Sequence, residues 1–120
     1  MLLALATADG TAVTQATAEQ MLAASASAQR TSAALRTVTT TDLRPTLKAV
    51  RAPIGVIWGE ADLTIPIVSL DELLAVRADA AVVRLPKVGH VPMVEAPAAF
   101  AAALQQLLAG ASQAGHDFRR

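Results

Sequence analysis

The sequence predicts an α/β fold, in which a short parallel sheet is covered by helices. Residues 54–58 form a continuous apolar run between Pro53 and Gly59, and residues 81–85, AVVRL, form a second stretch of strand length that ends at Pro86. Apolar residues at helical spacing lie between the two runs and again after the second. Continuous apolarity is typical of parallel strands that are covered on both faces. The order strand, helix, strand, helix therefore predicts a βαβ unit followed by a covering helix.

The composition supports a single folded domain. The chain has 120 residues, of which 53% are hydrophobic and 17% charged, so intrinsic disorder is excluded for most of its length. Only 2% of the residues are aromatic. The core must therefore be built from Ala, Leu and Val, and such small side chains favour closely packed helices.

Helices are also expected before the first strand. The Ala- and Gln-rich stretch predicts one helix from about Thr17 to Leu35, with residues 17–20 in the form of a capping box. The β-branched residues of Val38–Thr41 interrupt the helical periodicity, so we expect a linker or turn there. A short helix is expected from Leu43 to Val50, with Thr41-Asp42 as its cap and Pro45 in its first turn.

Two longer helices are predicted around the second strand. Leucines and acidic residues alternate between two faces from Ile67 to Val76, which indicates an amphipathic helix between the strands. The last helix is expected to begin at Pro97 and to end at Gly110. Residues 111–120 are expected to form a frayed tail, with His116 exposed in it.

The charge and cysteine content argue against several classes of partner. Ten basic and ten acidic residues cancel without clustering, so we expect no nucleic-acid partner. The absence of cysteine excludes a disulfide framework and a thiolate nucleophile, and we expect no metal and no cofactor. Residues 1–8 are apolar but too few to span a membrane, and they lack the basic start of a signal peptide. We therefore expect a cytoplasmic protein with no membrane partner.

Two loops follow the carboxyl ends of the predicted strands, at residues 59–66 and 87–93. Open α/β sheets place their ligands and catalytic groups at this edge. If the strands are adjacent and parallel, Asp62 and His90 emerge there together. An ionised carboxylate can hold one imidazole nitrogen and leave the other as a general base. The sequence therefore predicts an Asp62–His90 pair.

Both loops carry motifs that resemble those of the α/β-hydrolase family. The matching stretches are residues 52–66, APIGVIWGEADLTIP, and residues 85–97, LPKVGHVPMVEAP, followed by Phe100. In that family the pattern strand-Gly-x-x-Asp-x-x-x-Pro carries the acid of a catalytic triad, and Gly-His-x-x-x-x-Glu-x-Pro-x-x-Phe carries its histidine. The resemblance implies that Asp62 is the acid and His90 the base.

The resemblance also implies a division of the chain. Residues 1–41 correspond to a helical cap-like segment and linker, residues 42–110 to the C-terminal α/β-hydrolase segment, and residues 111–120 to a tail. The nucleophile of the family lies in a Gly-x-Ser-x-Gly turn, and the 120 residues contain no such turn. We therefore expect this chain to supply the acid and the histidine for hydrolysis of an ester, thioester or similar bond in a small molecule. We expect the isolated chain to be inactive.

Alternatives remain open for several residues. Trp58 and Met93 are candidates for binding substrate near the triad edge, and packing is an equally good interpretation. Glu60 is an alternative acid or a residue that orders its loop, and Glu95 is interpreted as a charge at the start of the last helix. A second hypothesis is a non-catalytic module that binds a partner chain, or a second copy of itself, through the open edge of its sheet.

Overall fold

The computed structural model describes residues 7–9, 11, 13–28 and 30–113. The sheet has two strands, β1 (Gly55–Gly59) and β2 (Ala81–Leu85). The helices, in chain order, are α1 (Gln15–Ser27), α2 (Thr31–Thr40), α3 (Arg44–Ala49), α4 (Val68–Val76), α5 (Pro92–Glu95) and α6 (Pro97–Gln113).

The two strands are parallel neighbours, which confirms the predicted α/β class. In their register Gly55 lies opposite Ala81 and Gly59 opposite Leu85. The connection between them runs through α4, and α6 follows β2 after the short helix α5. The predicted βαβ unit with a covering helix is therefore present, with α5 as an additional turn of helix that the sequence did not predict.

Helices cover both faces of the sheet. The core cluster contains Leu85 at the end of β2, Val88 in the following loop, and Ala103 in α6. Ile57 of β1 and Val83 of β2 pack against this cluster. Because side chains alternate along a strand, the residues between these positions lie on the other face.

On the opposite face of the sheet, a side chain of β2 contacts α4. Arg84, the neighbour of Leu85 in β2, forms an ion pair with Asp71 at 3.7 Å. Leu70, beside Asp71 in α4, is fully buried. The helix between the strands therefore covers the face away from α6.

A buried arginine closes the amino end of the sheet. Arg77 follows α4 and donates to the carbonyl oxygens of Leu47 (3.2 Å), Val50 (2.9 Å) and Ala52 (3.3 Å). Its Nε and Nη2 atoms also donate to the two carboxylate oxygens of Asp79, each at 2.8 Å. This one side chain joins the segment that leads into β1 to the turn that leads into β2.

The predicted single helix over Thr17–Leu35 is wrong, because α1 ends at Ser27 and α2 begins at Thr31. The predicted capping box at residues 17–20 is also wrong, because Thr17 lies inside α1, which begins at Gln15. Thr14 is the N-cap of α1, and its hydroxyl accepts the N–H of Thr17 at 3.3 Å.

The predicted linker at Val38–Thr41 is wrong for its first three residues, since α2 continues to Thr40. The Thr37 hydroxyl donates to the carbonyl of Ala33 and the Thr40 hydroxyl to that of Arg36. Such bonds to the preceding turn satisfy the threonine hydroxyls within the helix.

The remaining helices fit their predictions with small differences. Helix α3 starts one residue later than expected, and the predicted cap at Thr41-Asp42 is wrong, because the N-cap residue is Leu43. The carboxylate of Asp42 accepts the N–H of Arg44 at 3.0 Å. The predicted end of the last helix at Gly110 is wrong, because α6 continues to Gln113. Residues 114–120, and with them His116, lie outside the described residues, as do residues 1–6 of the apolar start. No helix within the described ranges has the length and apolarity to cross a membrane.

Candidate functional site

The two loops at the carboxyl end of the sheet are joined by backbone hydrogen bonds. The N–H of Glu60 donates to the carbonyl of Leu85 at 3.0 Å, and the N–H of Ala61 donates to the carbonyl of Val88 at 2.9 Å. Gly59 lies so close to the second loop that a Cβ there would collide with the carbonyl oxygens of Val88 and Gly89. Glycine at this position therefore allows the loops to touch.

The first loop turns around the carboxylate of Asp62. One oxygen, Oδ1, accepts the backbone N–H groups of Thr64 at 2.8 Å and Ile65 at 2.9 Å. Such bonds from an Asp to the backbone two and three residues on are typical of a tight turn. They fix the orientation of the side chain, which is only 7% exposed, and direct its second oxygen toward the other loop.

The second oxygen of Asp62 meets the imidazole of His90. The distance from Oδ2 to Nδ1 is 2.8 Å, and the His90 side chain is 36% exposed. The expectation that these two residues lie together at one edge of the sheet is confirmed. An anion at Nδ1 favours the tautomer that carries its proton there, and this leaves Nε2 free of its proton and able to act as a base.

The environment of Asp62 favours its ionised form. Burial raises the pKa of this carboxyl, but the hydrogen bonds from the Ile65 N–H, His90 and the Thr64 N–H together outweigh burial and lower the pKa below its ordinary value. The carboxylate is therefore negatively charged at neutral pH, as an acceptor for an imidazole proton must be.

The histidine loop is held by Glu95. Lys87, in the turn after Pro86, has a left-handed φ of 62°, and the chain then passes through Gly89 to His90. Both carboxylate oxygens of Glu95 accept the Gly89 N–H, at 3.0 and 3.1 Å. The same carboxylate accepts the N–H of Ala8 at 2.7 Å. The interpretation of Glu95 as a charge at the start of the last helix stays a prediction, and the structure adds that its carboxylate binds these backbone groups.

The other candidate residues differ in exposure. Trp58 is half-buried, and its Nε1 has no hydrogen-bond partner among the described residues. Met93 is 51% exposed on α5. Glu60 is exposed, and His90 pairs with Asp62 rather than with it. The roles predicted for Trp58 and Met93 in binding substrate remain predictions.

Two cavities lie elsewhere on the molecule. The larger, of about 860 Å³, is at the amino end of the sheet and against α6, and its lining includes Ile54, Val82, Leu104 and Leu107. The smaller, of about 450 Å³, lies between the start of α3 and α4. In the part of the chain that the structure describes, no cluster of three or more His, Asp or Glu side chains is arranged to hold a metal ion.

Comparison with known proteins agrees with the family resemblance of the sequence motifs. A profile described as "Alpha/beta hydrolase family" matches residues 3–103. The chain belongs to the alpha/beta hydrolase family. It is 46% identical, over 56 residues, to the protein named "Putative hydrolase LipZ" in two strains of Mycobacterium tuberculosis, CDC 1551 / Oshkosh and ATCC 25618 / H37Rv. The match covers 47% of this chain and 19% of each relative, so the chain spans about a fifth of the length of the curated relatives it matches.

Proposed function

We propose that Asp62 and His90 are the acid and the base of a hydrolytic triad, which this chain contributes to a hydrolase of esters, thioesters or similar bonds. The observation that carries the proposal is the 2.8 Å contact between Asp62 Oδ2 and His90 Nδ1. Membership of the alpha/beta hydrolase family and the similarity to a protein named as a hydrolase support hydrolysis as the reaction class.

In the proposed reaction His90 moves the protons. Its Nε2 removes the proton of a serine hydroxyl as the serine oxygen attacks the substrate carbonyl, and then donates that proton to the leaving alcohol or thiol. In the second half of the reaction it activates water, which releases the acid and restores the serine. Asp62 orients the ring through Nδ1–H and stabilises the imidazolium that forms in each half.

The serine is proposed to come from outside these 120 residues. The sequence contains no Gly-x-Ser-x-Gly turn, and without a nucleophile no acyl-enzyme forms. We therefore expect the isolated chain to be inactive, and activity to require a nucleophile-bearing part of a hydrolase.

An exchange of segments tests this proposal. In LipZ, the segment that matches this chain would be replaced by the chain's own residues, and hydrolysis of a panel of p-nitrophenyl esters would be measured. We expect the chimera to hydrolyse at least one ester, and His90→Ala or Asp62→Asn to lower kcat by about 10⁴-fold. Glu72→Gln, on the exposed surface of α4, is the matched control and should keep full activity. Lack of hydrolysis in the chimera, or hydrolysis indifferent to His90, contradicts the proposal.

A second candidate function is the binding of a partner chain or a second copy. It is favoured by the cavity at the amino end of the sheet, where Leu104 and Leu108 of α6 are exposed beside it. Covering these leucines would remove apolar surface from water. Light scattering of the chain tests the candidate. We expect an assembly larger than a monomer that Leu104→Glu and Leu108→Glu together dissociate, whereas a monomer at all concentrations, with no partner retained on the immobilised chain, contradicts it.

A further inference from the structure

We propose that Glu95 is a positioning residue for His90, and that it acts by fixing the peptide unit through which the chain enters the histidine. The proposal rests on the function proposed for His90. It concerns a side chain that touches neither the imidazole nor any reacting atom. Its contacts are with backbone N–H groups, one of them adjacent to His90 in the chain.

The peptide unit between Val88 and Gly89 is bound at both of its polar ends. Its carbonyl, on Val88, accepts the N–H of Ala61 at 2.9 Å, and Ala61 directly precedes Asp62. Its N–H, on Gly89, donates to both oxygens of Glu95. A planar unit held at both ends cannot rotate about its neighbouring bonds without breaking one of these contacts. The direction in which the chain reaches His90 is thereby fixed relative to the Asp62 loop.

The charge of Glu95 strengthens this restraint. Hydrogen bonds to an ionised carboxylate are about twice as strong as those between neutral groups. Among the described residues no Lys or Arg forms a salt bridge with Glu95, so backbone N–H groups are the observed partners of its charge. The second donor, the N–H of Ala8, lies 87 positions away in the sequence and binds Oε2 of the same carboxylate.

The packing around Gly89 leaves little freedom for the carboxylate. A Cβ at Gly89 would lie 2.5 Å from the Ala8 nitrogen and 2.8 Å from Oε1 of Glu95. Gly89 is itself buried. Glu95 is thus held against the loop by contacts that any larger residue at position 89 would disrupt, as expected for a side chain whose role is to set a position.

Nuclear magnetic resonance of the full chain tests the proposal without any enzymatic assay. The two readouts are hydrogen exchange of the Gly89 amide and the resonance of the His90 Nδ1 proton shared with Asp62. We expect Glu95→Ala to speed the exchange at least 10-fold and to shift or abolish the Nδ1 resonance. Glu95→Gln keeps one carbonyl acceptor and should give intermediate values, and Glu72→Ala is the matched control with neither change.

Each outcome decides the role of Glu95. If Glu95→Ala folds and leaves both readouts unchanged, the proposal is overturned. If Glu95→Ala does not fold, the nearly isosteric Glu95→Gln decides, and unchanged exchange together with an unchanged Nδ1 resonance overturns it. A merely structural role would lower stability in Glu95→Gln without moving the Nδ1 resonance, and that result also overturns it.

The LipZ chimera adds a kinetic readout. We expect Glu95→Gln in the chimera to lower kcat by about 10²-fold with KM nearly unchanged, because a misplaced base slows the chemical step more than it weakens binding. A change confined to KM would overturn the positioning role. If the chimera itself does not hydrolyse esters, the function proposed for His90 fails, whereas the two resonance readouts still decide the role of Glu95.

Discussion

At each end of the sheet a different charged side chain forms hydrogen bonds with backbone groups, and the two charges are opposite. At the amino end, the Arg77 guanidinium donates to three carbonyl groups. At the carboxyl end, the Glu95 carboxylate accepts two N–H groups. Arg77 is itself paired with Asp79, and its side chain is 9% exposed, whereas His90 at the other end is 36% exposed. The comparison shows that similar hydrogen bonding to backbone groups accompanies a buried guanidinium at one end of the sheet and a partly exposed imidazole at the other.

The close approach of the loops at the carboxyl end gives the largest expected effect on stability. Gly59→Ala inserts a methyl group against two carbonyl oxygens that have no room to move, so we expect the free energy of unfolding to fall by about 3 kcal/mol. Chemical denaturation monitored by circular dichroism measures it. Gly110→Ala is the matched control, because nothing lies within 4 Å of that position in α6, and it should gain about 0.5–1 kcal/mol. Equal effects at the two glycines would contradict the described contact.

Removal of the closure at the amino end should destabilise the chain without disturbing the site. Arg77→Met keeps much of the apolar stem but leaves three carbonyl groups without the donor that they have in the structure. We expect a lower midpoint of thermal unfolding than for Arg51→Met, an exposed control. The resonance of the His90 Nδ1 proton should stay in place in the folded variant. Its loss would show that the two ends are coupled.

Acid should weaken the amino end through Asp79. The hydrogen bonds from Arg77 lower the pKa of this carboxyl from an ordinary 3.8 to about 2. A pKa that is depressed in the folded state contributes stability above pH 3.8, and that contribution is lost as the pH falls through about 2. The drop in urea midpoint between pH 5 and pH 2 should therefore be smaller in Asp79→Asn than in the parent chain. An identical drop would mean that this ion pair contributes nothing to acid stability.

A substitution in the turn after Pro86 has the smallest expected effect on the free energy of unfolding. Lys87 has a φ of 62°, which costs an ordinary residue more than it costs glycine. Lys87→Gly should therefore raise the free energy of unfolding by about 0.5 kcal/mol, after the added freedom of the unfolded chain is subtracted. Lys48→Gly, inside α3, serves as the opposite control and should be destabilising. A loss of stability at position 87 would contradict a strained turn.

The strands and the Asp62–His90 pair could be predicted because their signals are local and the topology is restrictive. Each strand is a mostly apolar stretch with a proline or glycine at its carboxyl end, and two adjacent parallel strands bring the following loops to one edge. The motif spacing then identified which side chain in each loop would meet the other. The predicted bounds of β1, Ile54–Trp58, differ by one residue from the observed bounds, Gly55–Gly59.

The two closing side chains could not be predicted by the same reasoning. Glu95 binds backbone N–H groups, and Arg77 binds backbone carbonyl groups. Because nearly every residue has both groups, the residue types in the sequence do not indicate which positions these two side chains bind. The break between α1 and α2 was missed for a related reason. The Ala-rich sequence is compatible with a continuous helix, and neither glycine nor proline in the sequence marks the end of α1 at Ser27 or the start of α2 at Thr31.

Besides the side-chain contact of Asp62 with His90, two contacts run from main chain to main chain at this edge of the sheet, through the N–H groups of Glu60 and Ala61. They therefore tolerate replacement of most side chains at these positions, provided that the amide hydrogen is kept. They do not tolerate a change in the number of residues, since one insertion would move every following donor away from its acceptor. Natural or engineered variants should accordingly differ in the composition of these segments and agree in their length.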